Sequence, residues 1–178
     1  MKFADGFWLN QPGYTVSYAV QPYGVQVCGD AVTVTAASHP ILNRGMTLGG
    51  VMLTFRFSAV RKNIIRAEIV HHKGAVSRMP AFELAEDADF HPVITETEDA
   101  VTLTAGKTAV TVAKHGKWDI RYTYAGRLLT GSSQRAASYI QADAKRTADA
   151  VQQAESSRSG IFRRTKAVHS SANSSRSA

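Results

Sequence analysis

The stretch from Val51 to His71 restricts the fold of this chain more than any other. Val51, Leu53, Phe55 and Phe57 fall on one side of a two-residue alternation, and Met52, Thr54 and Arg56 fall on the other. After a polar break at residues 58–63 the alternation resumes. Ile65, Ala67 and Ile69 then take the apolar side, and Arg66 and Glu68 the polar side. Successive side chains of a strand point to opposite faces, so the pattern predicts two half-buried antiparallel strands joined by a loop. A face carrying four large apolar side chains needs a second layer over it, because left bare it would draw chains together.

The rest of the chain supplies strands of the same kind. Tyr23, Val25 and Val27 alternate with Gly24 and Gln26, and Val32, Val34 and Ala36 return after Gly29-Asp30. That pair suits a two-residue hairpin turn, since glycine accepts the positive φ such turns require. Residues 39–50 read as an irregular crossover, Gly74 as the end of the central pair, and residues 75–90 as a loop. Val93, Thr95 and Thr97 start another strand, and Glu98-Asp99 opens a turn. Val101 and Leu103 turn at Gly106-Lys107 and return as Val110 and Val112. Beyond a turn at His115-Gly116-Lys117, Trp118, Ile120, Tyr122 and Tyr124 share one face. Ala125-Gly126 then turns the chain into residues 127–130. Strands recurring roughly every ten residues, with no helical pattern before Ser132, predict an all-β sandwich or barrel.

The 178 residues suffice for one domain with a proper core, and 44% of them are hydrophobic. No stretch has the length and apolarity of a membrane span. Met1-Lys-Phe-Ala-Asp-Gly6 lacks the apolar run of a secretory leader, so a cytoplasmic location is expected. The single Cys28 cannot close an internal disulfide, in keeping with a reducing compartment. The net charge of +7 is unevenly spread. Residues 1–131 hold 13 basic and 11 acidic side chains, whereas residues 132–178 hold 8 and 3. A nearly neutral fold with a basic tail points less to a nucleic-acid surface than a uniformly basic fold would.

Residues 1–141 are therefore read as the β-sandwich and residues 142–178 as a basic Ser/Arg/Ala-rich tail. Ala137, Ile140, Ala144, Ala148 and Val151 recur at three- and four-residue steps, which allows a short helix over residues 141–155. Residues 156–178 contain little that could offset the entropy of ordering them, and disorder is expected there.

Several pieces in order resemble the N-terminal region of glycoside hydrolase family 31, in particular its α-xylosidase branch. They are Asp5-Gly-Phe-Trp-Leu-Asn-Gln-Pro-Gly13, Leu53-Thr-Phe-Arg-Phe-Ser58, Ile65-Arg-Ala-Glu-Ile-Val-His-His-Lys-Gly74, Trp118-Asp-Ile-Arg-Tyr122, Arg127-Leu-Leu-Thr-Gly-Ser132 and Tyr139-Ile-Gln141. The resemblance covers residues 1–142. It implies an antiparallel β-sandwich of the galactose-mutarotase-like type, set before a (β/α)8 barrel that carries two catalytic aspartates. Retaining hydrolysis needs two carboxyl groups about 5 Å apart across the scissile bond. The resemblance further implies terminal α-linked sugars as substrates, no metal or organic cofactor, and the barrel and other subunits of a homo-oligomer as partners. On this reading the chain stops ahead of the barrel and is inactive alone. Its unlike ending, from Ala142, suggests a truncated or frameshifted reading frame.

Two alternatives come from other functional classes. One is a free-standing carbohydrate-binding sandwich, and the other is a nucleic-acid binder acting through the basic tail. Each residue group with chemical potential has a plainer reading beside the functional one. Glu83, Glu86, Asp87, Asp89, Glu96, Glu98 and Asp99 are candidates for a general acid and base, but such charges usually sit on a solvated surface. His71-His72 suggests a metal, yet neighbours on a strand point to opposite faces and do not easily chelate one ion. Cys28 has no nearby histidine in sequence and reads as a small buried hydrophobe. Trp8, Trp118, Tyr122 and Tyr124 offer a sugar-stacking platform, or simply core. Arg163, Arg164 and Lys166 could grip phosphates, or stay solvated. Residues 45–50 lack the helix and Lys-Ser/Thr of a phosphate loop. No residue is assigned to catalysis, to a cofactor or to a metal.

Overall fold

The structure, a computed structural model, describes residues 10–71, 85–133 and 135–143. It is almost wholly β, and every strand pair of its two larger sheets is antiparallel. The strands are β1 (Tyr14–Tyr18), β2 (Gln21–Cys28), β3 (Ala31–Ala37), β4 (Met52–Arg61), β5 (Ile64–Val70), β6 (Val93–Glu96), β7 (Ala100–Ala105), β8 (Thr108–Ala113), β9 (Ile120–Tyr124), β10 (Arg127–Ser132) and β11 (Ser138–Ala142). One sheet has the order β2-β3-β4-β5 and another the order β10-β9-β8-β7-β6. A third, two-stranded sheet pairs β1 with β11. The chain divides into two units: residues 16–139, and residues 1–15 together with 140–178. In the smaller unit, Tyr14 N donates to Gln11 O at 3.3 Å and Asp143 N to Gly13 O at 3.0 Å.

The larger unit is the sandwich. Its core joins Val32, Val34 and Ala36 of β3 to Leu53, Phe55 and Phe57 of β4 from one sheet. Val101 and Leu103 of β7, Val110 and Val112 of β8 and Ile120 of β9 meet them from the other. Trp118 lies among them, its ring 4.3 Å from that of Phe55. Truncating an aromatic in such a position costs about 3–5 kcal/mol. The alternation predicted for the central strand is thus observed: Leu53, Phe55 and Phe57 face in, while Arg56 faces out and bonds Glu68 at 3.2 Å. Glu68 also takes Arg66 at 3.2 Å, and Arg66 reaches Glu86 at 3.5 Å. These pairs are exposed, so each adds at most about 1 kcal/mol.

The second half of the predicted pair is only partly covered. Ala67 and Ile69 lie opposite Phe57 and Phe55 in the register, as the alternation requires, yet Ala67 is exposed and Ile69 is 52% exposed. β5 is the last strand of its sheet, and of its inner face Ile65 alone packs against the core. The break expected at residues 58–63 is also shorter than the sequence suggests. β4 continues to Arg61 through a register shift after Ala59, leaving Lys62-Asn63 as the turn.

Register brings the turns to one end. Gly29-Asp30, Lys62-Asn63, Gly106-Lys107 and Ala125-Gly126 all close hairpins there, and β6 begins there opposite Thr104. Ala125 and Gly126 both have positive φ, 48° and 80°, as a tight hairpin demands. Asn63, at φ 65°, ties the two sheets together. Its N–H donates to Ala105 O at 3.0 Å, and its Oδ1 accepts from Lys107 N at 2.6 Å. Its carbonyl accepts from Thr108 Oγ1 at 3.0 Å. A Cβ on Gly106, itself at φ +66°, would lie 2.5 Å from Asn63 Oδ1.

At the other end the chain crosses from β3 to β4 through a single 3-10 turn, Arg44–Leu48, which agrees with the irregular crossover read from the sequence. Asn43 caps that turn through Gly45 N at 3.0 Å. His39 Nε2 lies 2.8 Å from Met46 O.

The region near residue 140 departs from its helical periodicity. Ala137 sits in a bend and Ile140 within β11. The β-rich surroundings override a pattern built mainly of alanine, whose small face offers a helix little to bury. The remainder of that periodicity, from Ala144, lies outside the described residues, as do the tail at 144–178 and most of the loop at 75–90. Strands β1 and β11 were not expected from the sequence. Among the described residues no helix is long and apolar enough to cross a membrane.

Asn63→Ala is expected to destabilise the fold by about 2 kcal/mol, combining a lost hydrogen-bond acceptor with a left-handed backbone that alanine resists. Asn63→Gly keeps the backbone conformation accessible and should cost about half as much. Urea denaturation of the three proteins checks the order.

Candidate functional site

Catalysis by paired carboxylates needs two acids facing one another in a sheltered site. Among the described residues the candidate acids are not arranged in this way. Glu86, Asp87, Asp89, Glu96, Glu98 and Asp99 are all exposed. Glu86 pairs with Arg66, and Glu96 with Lys114 Nζ at 2.6 Å. The same Lys114 Nζ donates to Thr97 O at 2.8 Å, and Lys114 N to Asp99 O at 2.8 Å, so this group fastens the β6–β7 turn to the end of β8. Asp87 N donates to Val60 O at 2.9 Å, and Phe90 N to Asp87 O at 3.1 Å, which shapes the lead into β6. Glu83 lies outside the described residues.

Histidine chemistry is equally dispersed. His71 Nδ1 lies 3.1 Å from Met52 O, and its ring meets that of Tyr139 at a tilt of 44°, with centroids 4.3 Å apart. His72 lies outside the described residues. Among the described residues no group of three or more His, Cys, Asp or Glu side chains comes together to hold a metal. His91 Nδ1 meets Asp30 Oδ2 at 2.5 Å. The hydrogen bond to Asp30, reinforced by its charge and that of Asp89, holds His91 above the ordinary histidine pKa. This pair is separated by 61 residues in sequence, and no local pattern announces it.

Cys28 is exposed rather than buried. It ends β2, the edge strand of its sheet, beside the Gly29-Asp30 turn, and an edge position offers little cover for a small side chain.

The aromatic group separates into different roles. Trp118 is only 1% exposed and packs on Phe55, so it is core and not a stacking surface. Its Nε1 has no hydrogen-bond partner among the described residues. Trp8 lies outside them. Along β9, exposure rises from buried Ile120 through half-buried Tyr122 to Tyr124, which is 42% exposed. Burial pushes the Tyr122 phenol upward in pKa. Tyr122 and Tyr124 share one face of the strand, two residues apart, and pair with Val110 and Thr108 of β8. This strip is the part of the predicted platform still open to a ligand. An exposed tyrosine ring can hold a flat apolar or sugar face. Arg163, Arg164 and Lys166 lie outside the described residues.

No family model matches the chain. It is similar to the α-xylosidase XylQ of Lactiplantibacillus pentosus, with 26% identity over 135 residues. The alignment covers 76% of this chain and 18% of that enzyme. The chain thus corresponds to under a fifth of its relative's length.

Trp118→Ala is expected to cost about 3–5 kcal/mol through the cavity it leaves. Trp118→Phe should cost far less, because it keeps the ring against Phe55 and removes an unpaired buried N–H. Thermal melts of the two variants beside the parent chain distinguish them.

Proposed function

We propose that this chain is the non-catalytic β-sandwich region of an α-xylosidase-like glycosidase of glycoside hydrolase family 31, of galactose-mutarotase-like type. In this reading it is built to support a (β/α)8 barrel that performs the hydrolysis. The alignment of 135 residues with an α-xylosidase carries the proposal. The all-β architecture of the described residues is compatible with it. So is the placement of carboxylates on the outside of the sandwich, since a supporting region has no need of an acid and base of its own. The sandwich would end near residue 141, with the basic segment that follows lying outside it. Terminal α-linked sugars would be the substrates of the whole enzyme, and the barrel and sister subunits the partners of this region.

A second reading rests on the Tyr122–Tyr124 strip. Exposed Tyr124, on the same strand face as half-buried Tyr122, suits a sugar ring, as in a carbohydrate-binding module. Titration with xylose, isoprimeverose and glucose separates the two readings. Saturable binding that Tyr124→Ala abolishes favours the module, and no binding favours the supporting region.

The purified chain is expected to release no product from aryl α-xyloside or aryl α-glucoside. Turnover by verified full-length material would refute the supporting role. The gene region that encodes this chain should also encode a barrel with two catalytic aspartates, and its absence would count equally against the proposal.

A further inference from the structure

The lead into β6 crosses the turn end of the sandwich. Asp87 is tied to Val60 O and Glu86 to Arg66, both on the β4–β5 hairpin. Four residues after Asp87 the chain reaches Asp30, in the β2–β3 turn of the same sheet, through His91. It then enters β6 at Val93, at the edge of the opposite sheet. β6 is only four residues long, and Val93 is 63% exposed, so few contacts of its own hold its start in place. Asn63 fastens the two sheets at this end through backbone and amide bonds that do not titrate. The Asp30–His91 pair fastens them through groups that do.

We propose that Asp30 and His91 form a pH-dependent clasp that ties the start of edge strand β6 to the β2–β3 turn of the facing sheet. The clasp is closed while Asp30 is ionised and His91 is protonated, and it loosens as His91 loses its proton. Asp30, from the β2–β3 turn, and Asp89, from the lead into β6, are the charges that face the imidazole, and both favour its protonated form. Glu86 is engaged by Arg66. Arg61, Lys62 and Lys107 belong to the other turns at this end. A histidine whose pKa is raised on folding adds stability that is complete below its unfolded value and disappears as pH rises through the folded one. The clasp therefore operates on the mildly acidic side of neutrality and opens toward alkaline pH. It goes beyond the glycosidase reading and does not depend on it.

Two measurements on the full chain test the clasp together. The first is NMR titration of the His91 imidazole, assigned with His91→Gln, in the parent and in Asp30→Asn. The second is hydrogen-exchange protection of the β6 amides across the same pH range. The expected result is a lower titration midpoint in Asp30→Asn. With it should come a few-fold loss of β6 protection below the parent's midpoint, in both Asp30→Asn and His91→Gln, that vanishes above it. An unchanged midpoint overturns the proposal. So does a lowered midpoint with β6 protection that is unaffected, or altered equally at all pH values, because the pair then senses charge without holding the strand.

Discussion

Burial of Leu53, Phe55 and Phe57 against Trp118 and the valines of β7 and β8 is the constraint from which the rest of the sandwich follows. These three side chains project from one face of β4, and that face exists only while the strand keeps its register with β3. A shift of one residue would turn Arg56 and Thr54 into the apolar layer. The same register determines where the hairpins turn. Turns from both sheets consequently gather at one end, and there Asn63 and the Asp30–His91 pair join sheet to sheet. Packing sets the register, and register sets the polar connections.

That division of labour leaves the interior without chemistry. No polar or charged residue is buried among the described residues, and the carboxylates lie outside, several of them in ion pairs with arginine or lysine. A reaction centre requires the opposite arrangement, with ionisable groups sheltered from water so that their charges act strongly. What this sandwich offers instead is surface: the tyrosine strip on β9 and the uncovered inner face of β5. The likeness to an α-xylosidase covers less than a fifth of that enzyme.

The central strands were legible because residues 52–57 of β4 agree in pattern, with Leu53, Phe55 and Phe57 alternating with Met52, Thr54 and Arg56. Turns were legible where glycine supplies a left-handed residue, as at Gly29, Gly106 and Gly126. β11 was not. Its sequence Ser-Tyr-Ile-Gln-Ala lies beside an alanine-rich stretch whose three- and four-residue spacing imitates a helix, and only its pairing with β1 makes it a strand. Cys28 shows a similar limit. Its type favours burial, and its place at the end of an edge strand decides against it.

The sequence by itself determined that this chain is built of antiparallel strands with one apolar face, because the two-residue period of side chains is a property of the extended backbone and is written in consecutive residues. It did not determine which of those faces would be covered. Ile69 and Phe55 follow the same rule and differ in fate, since one stands on the edge strand of its sheet and the other beneath Trp118. Nor did it bring Asp30 to His91 or Asn63 to Lys107, because contacts between residues some forty to sixty positions apart depend on how the sheets stack, and stacking is decided by the whole core at once.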